Sequence, residues 1–127
     1  METIKNIENG RLYTINTTER NDNKQWNAHP AFKGVYLKHL ITGAETQGQF
    51  SAHIVKVEPG CVLDTHIHAG KTEIHEVIVG TADCFIDTKR VVYKPGDIAI
   101  IPNDTKHKVI AGDEGLYLMA KFYPALL

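Results

Sequence analysis

Two cysteines, two methionines and one tryptophan are all that the 127 residues contain of these types. No stretch approaches the ~18 consecutive apolar residues that a membrane-spanning helix requires. Two thiols, Cys61 and Cys84, are too few for a disulfide framework, and they read as reduced, small buried side chains. No excess of either charge is present: 14 basic against 15 acidic residues leave a net charge of −1. Without a basic stripe, nucleic acid is excluded as the main partner. The opening Met1-Glu2-Thr3-Ile4-Lys5-Asn6 lacks the charged and apolar regions of a secretory signal. Together these absences lead us to expect a cytoplasmic chain with no membrane partner. Internal repeats, low-complexity segments and long runs with a helical period are also missing.

What remains is one domain's length of chain, 43% hydrophobic and 23% charged, with a mean hydropathy of −0.23. Residues 1–31 are polar and broken, and read as an N-terminal arm, partly ordered and involved in dimerisation; Trp26 is expected to bury itself against the barrel or a second copy. From Phe32 onward, short extended runs alternate with turn residues. They are 35–41, 50–57, 61–68, 73–79, 82–87, 91–93, 98–101, 107–111 and 116–123, bounded by Gly, Pro or Asp. Such regular short runs predict an all-β sandwich or barrel over residues 32–127. Alternation places Leu116, Leu118, Ala120 and Phe122 on a core face opposite Tyr117, Met119, Lys121 and Tyr123. The apolar ending, Phe122 to Leu127, should dock on the domain or across an interface.

Histidine is the anomaly in the composition. Seven occur, and four lie between residues 53 and 75. His66 and His68, two apart, point the same way on a strand with alpha carbons roughly 6–7 Å apart, close enough to share one ion. The polar, glycine-containing Ala69-Gly70-Lys71-Thr72 reads as a hairpin turn that folds Glu73 back beside them. Barrel closure is expected to bring His107 to the same place. Three imidazoles and a carboxylate suit one divalent transition metal (iron, manganese, nickel, cobalt or zinc) with positions left for water or ligand.

The segment from Gly60 to Gly80 resembles the first cupin motif, G-x5-H-x-H-x4-E-x6-G, with Gly60, His66, His68, Glu73 and Gly80 in place. Gly96 to Ala111 resembles the second, G-x5-P-x-G-x2-H-x3-N. There Gly96, Pro102 and His107 match, while Asp104 replaces glycine and Ala111 replaces asparagine. The resemblance implies a double-stranded β-helix, or jelly-roll barrel, with metal held by His66, His68, Glu73 and His107. It also implies a homodimer.

Rival readings attach to several residues. Glu76 competes with Glu73, and the spacing to His68 and Gly80 favours Glu73. His75 shares the face of Glu73: it is a catalytic acid–base group or substrate contact, or else a buried histidine bonded to a neighbour. His53 is the weaker candidate for the same pocket, and His29 and His39 read as surface or packing residues without partners. Two functions stay open. One is a metal-dependent enzyme of dioxygenase, isomerase or lyase type acting on a small oxygen-bearing metabolite. The other is a non-catalytic module that binds or senses a small ligand or metal.

Overall fold

The computed structural model describes residues 2–127. Its order is α1 (Glu2–Glu8), β1 (Arg11–Tyr13), β2 (Thr18–Arg20), a 3-10 turn (Asn21–Asn23), β3 (Trp26–Ala28), β4 (Val35–Ile41), α2 (Gly43–Thr46) and β5 (Ser51–Val57). Then follow β6 (Val62–His66), β7 (Thr72–Ile86), β8 (Lys89–Tyr93), β9 (Ile98–Ile101) and β10 (His107–Tyr123). The all-β jelly roll expected from the strand pattern is present.

Closure follows from two long strands. β7 and β10, 15 and 17 residues long, pair with each other along most of their length. Their ends find different outer neighbours. Residues 116–122 of β10 pair with β5, and residues 73–76 of β7 pair with β9. At the other end, residues 107–110 of β10 pair with β6, and residues 82–86 of β7 pair with β8. One wall is therefore β3-β4-β5-β10-β7-β9 and the other is β6-β10-β7-β8. The chain passes from wall to wall where the register breaks between Ala111 and Leu116. Opposite that break, Gly80 has φ +89, and a side chain there would run into the Gly115 carbonyl oxygen. Glycine answers both demands at once. This bend also explains why residues 73–79 and 82–87, expected as two runs, form one strand, as do 107–111 and 116–123.

The inner face carries the main core. Leu116, Leu118, Ala120 and Phe122 are all buried there with Val55, Val57, Val77, Val109 and Tyr93, as alternation predicts. A second apolar cluster lies outside the wall. Ile4 and Ile7 of α1 cover Leu40, Ile54, Trp26, Tyr117 and Met119. A buried Ile such as Ile4 or Ile54 contributes roughly 1.5–3 kcal/mol. At the end of α1, Glu8 Oε1 accepts from the Trp26 indole N–H at 3.1 Å, and the Lys38 ammonium lies 5.2 Å over that ring.

The first 31 residues are thus more structured than an arm. The sequence has only the Ile4–Ile7 pair to signal the helix, one turn's worth of amphipathicity. β3 joins the main sheet through Trp26↔Lys38, so the sheet begins before residue 32; only the β1–β2 hairpin stays separate. The C-terminal residues dock on their own barrel. Ala125 N–H donates to Gly48 O at 3.1 Å, and Lys71 Nζ donates to Ala125 O at 2.8 Å.

Gly80→Ala is expected to destabilise the fold by about 2–3 kcal/mol, from left-handed strain plus the backbone clash. Thermal unfolding checks this, with no loss expected for alanine at Gly48, where a side chain meets open space, beyond its own φ strain.

Candidate metal centre

His66 ends β6, His68 follows in the loop, Glu73 is the second residue of β7, and His107 opens β10. One donor atom from each lies within 4.8 Å of the others. The route by which they meet differs from the expected hairpin. β6 and β7 are not paired; β10 stands between them, with His107 directly opposite His66 and Phe122 opposite Glu73. Residues 67–71 therefore cross the end of the barrel from one wall to the other. His66 and His107 converge because they are cross-strand partners, with ring centroids 4.0 Å apart.

Two backbone carbonyls orient the imidazoles. His66 Nδ1 donates to Asp64 O at 2.6 Å, and His107 Nδ1 donates to Thr105 O at 3.0 Å. Each bond reaches two residues back and leaves a lone pair on Nε2, as a metal ligand needs. Glu73 Oε1 lies 3.0 Å from His107 Nε2 and 3.7 Å from His68 Nε2. Yet neither Glu73 Oε1 nor His107 Nε2 has a hydrogen-bond partner among the described residues, and both are buried. Held 3.0 Å apart in the interior, these two atoms need either a proton shared from Nε2, as the Glu73 carboxylate promotes, or a cation between them. The donor set of three nitrogens and one oxygen fits a divalent transition metal.

The other carboxylate oxygen is held from behind. His75 Nε2 donates to Glu73 Oε2 at 2.8 Å, and the Tyr93 hydroxyl donates to His75 Nδ1 at 2.8 Å. His75 is wholly buried, so both of its nitrogens are engaged and neither faces solvent. Glu76 points the other way and pairs with Lys121 at 2.8 Å, which removes it as a rival.

The departures from the second motif also have structural readings. Asp104 has φ +60, the left-handed conformation that explains glycine in the pattern and that Asp tolerates better than most residues. Its carboxylate accepts from Gly70 N–H at 3.1 Å, while its own N–H donates to His68 O at 3.4 Å. The substitution thereby ties the His107 loop to the His68 loop. Ala111 is buried, and its N–H donates to Cys61 O at 3.0 Å.

Burial and pairing set the local charges. Burial pushes Glu73 upward, but His75 and His107 outweigh it and hold the carboxyl well below its usual range. Burial pushes His107 down, and the Glu73 carboxylate more than offsets this, leaving it raised. His66 is lowered to about 4, chiefly by burial, and His68 is lowered for the same reason. Burial raises the Cys84 thiol, consistent with a packing residue.

Three features escaped the sequence. Phe32, packed 5.9 Å from His66, is placed by His29, whose Nδ1 accepts from Ala31 N–H at 3.0 Å. Tyr93 behind His75 has no motif position. His39, read as lacking a partner, faces His53 with their Nδ1 atoms 2.7 Å apart.

Residues 53–120, over half of the chain, match the cupin domain. The chain belongs to the cupin domain family. No curated protein matches it. Among solved structures it is similar to KdgF from Halomonas sp., at 23% identity over 82% of this chain and 91% of that one, with TM-score 0.71. It is also similar to a predicted oxalate decarboxylase from Thermotoga maritima, at 22% identity, 83% and 96% coverage and TM-score 0.74. An RmlC-like cupin from Shewanella frigidimarina gives 16% identity, 91% and 95% coverage and TM-score 0.73. At these identities the likeness concerns the fold of this cupin.

For metal-free protein, stability should fall with acid. His66 and His53 titrate near 4 when folded and near 6.5 when unfolded, so between these values the unfolded chain binds more protons. Raised His107 acts oppositely, its contribution being lost as pH rises through its folded value, and depressed Glu73 contributes above its unfolded value. The expected net result is a melting temperature lower at pH 4.5 than at pH 7; equal or higher stability at pH 4.5 would contradict it.

Proposed function

We propose that this cupin binds one divalent transition metal through His66, His68, Glu73 and His107 and is an enzyme acting on a small oxygen-bearing metabolite. The observation that supports this best is the meeting of Glu73 Oε1 and His107 Nε2, both buried and neither satisfied by a partner, beside the imidazoles of His66 and His68. Glu73 and His107 are sealed, whereas His66 and His68 are partly exposed, so a ligand approaches from the His66–His68 side, next to Phe32. When bound, the metal supplies a Lewis acid for a carbonyl, carboxylate or enediol oxygen, or a site for oxygen chemistry if it is iron. Dioxygenase, isomerase and lyase reactions all fall within that chemistry.

The chain's own contribution is positioning. The carbonyls of Asp64 and Thr105 fix two imidazoles, and the Asp104–Gly70 bond holds the two ligand loops together. In this reading His75 acts on Glu73 rather than on substrate. It passes the Tyr93 hydroxyl's polarity to the carboxylate and keeps Oε1 turned toward the metal. Catalytic proton transfer by His75 would require it to leave one of two buried bonds.

We expect purified protein reconstituted with manganese, iron, cobalt, nickel or zinc to bind one ion per chain. Glu73→Gln and His107→Ala should each abolish stoichiometric binding. His75→Ala should weaken it by about 10–100-fold, and Tyr93→Phe by less, read by metal-competition titration. A screen of hydroxy- and oxo-acids with the loaded protein, with oxygen uptake followed in parallel, tests the enzyme reading. Turnover that depends on the metal supports it, and metal-dependent ligand binding without any turnover would favour the binding module.

A homodimer is the assembly we propose. Val92, Ile98 and Ile100 form an exposed apolar strip on the β8–β9 side, of the kind a second copy would cover. Sedimentation at micromolar concentration should give twice the chain mass, and Ile100→Lys should return it to one.

A further inference from the structure

The barrel wall beyond Phe122 holds a second polar group that the metal ligands do not use. His39 and His53 are cross-strand partners on β4 and β5, with rings 4.9 Å apart and Nδ1 atoms separated by 2.7 Å. His53 Nε2 lies 2.8 Å from Ser51 Oγ, and the Leu126 backbone N–H donates to that same oxygen at 2.8 Å. Ser51 and His53 are fully buried. The His53 ring packs edge-on against Phe122 at 5.6 Å, and Phe122 meets the His68 ring at 4.8 Å. One phenyl ring therefore separates this group from a metal ligand.

The direction of the hydrogen bonds follows from the one group that can only donate. Leu126 N–H gives its proton to Ser51 Oγ. The serine hydroxyl then donates to His53 Nε2, its only other partner among the described residues. His53 must carry its proton on Nδ1 and donate it to His39 Nδ1. His39 is left with its proton on Nε2. The reverse order would strand the buried hydroxyl hydrogen without an acceptor. Each bond in such a chain polarises the next, and His39, the one partly exposed member, is its open end.

Charge at the metal centre adds a constraint. A divalent ion, one carboxylate and three neutral imidazoles leave one net positive charge in a largely buried site, which favours an anionic ligand. Between His68 of that centre and His53 of the pair lies the Phe122 ring, an apolar surface suited to a short hydrocarbon. We propose that His39, held and polarised by His53 and Ser51, is a ligand-binding donor that takes an oxygen at the far end of a small dicarboxylate whose near end occupies the metal centre. The ligand class rests on the metal reading above; the orientation of the His39–His53–Ser51 chain does not.

Two measurements test it. Two-bond proton–nitrogen correlation spectra of the metal-free protein should find His39 protonated at Nε2 and His53 at Nδ1. The zinc-loaded protein is then titrated with malonate, succinate and glutarate. At least one should shift the His39 resonances, and His39→Phe should weaken its binding by about tenfold or more while zinc stoichiometry is unchanged. His39→Gln, which keeps an N–H donor, should recover part of the loss. A proton on His39 Nδ1, no response to any diacid, or equal affinity in wild type and His39→Phe overturns the proposal. Protein that takes up no zinc contradicts the metal reading instead, and the same titration of metal-free protein then decides whether His39 binds the acids.

Discussion

A carboxylate sealed inside an apolar barrel sets the terms for its surroundings. Glu73 is 3% exposed, and an isolated charge so placed would cost many kcal/mol. The fold meets that demand with side chains from three strands and one loop. His75 comes from the same strand, His107 from the start of β10, and His66 and His68 from the end of β6 and beyond. His66 and His68 are two residues apart, as are Glu73 and His75, but these two pairs and His107 come from separate stretches of the chain. Only closure of the two walls through β7 and β10 brings them together, so the barrel and the site are one construction.

Around that carboxylate the supporting bonds run outward in layers. Tyr93 holds His75, and His75 holds one oxygen of Glu73. Backbone carbonyls two residues back hold His66 and His107. Asp104 ties the His107 loop to the His68 loop, and Lys71, from the loop between His68 and Glu73, anchors to the C-terminal Ala125. The ending of the chain is thus tied to the loop between His68 and Glu73, and through Ser51 to the histidine pair on β4 and β5.

The barrel was legible in the sequence because strand alternation and turn residues are short-range signals. Leu116, Leu118, Ala120 and Phe122 declare their face without help from the rest of the chain. The grouping of His66, His68, Glu73 and His107 was legible through motif spacing, but the path was not. A turn-like Ala69–Thr72 suggests a hairpin, and nothing local reveals that β10 lies between β6 and β7. The His39–His53 pair stayed hidden for a related reason. Its register depends on the nine-residue connection through α2 and on an irregularity between His39 and Ile41. Helix α1 was hidden because two isoleucines one turn apart make a weak pattern; its stability comes from the outer face of the sheet it covers.

The most direct test is anomalous diffraction from crystals of cobalt-loaded protein, recorded on both sides of the cobalt absorption edge. One peak per chain, bonded to Glu73 Oε1 and to the Nε2 atoms of His66, His68 and His107, is the predicted result. A peak at any other group of side chains, or a Glu73 carboxylate that keeps only protein partners in cobalt-soaked crystals, would contradict it.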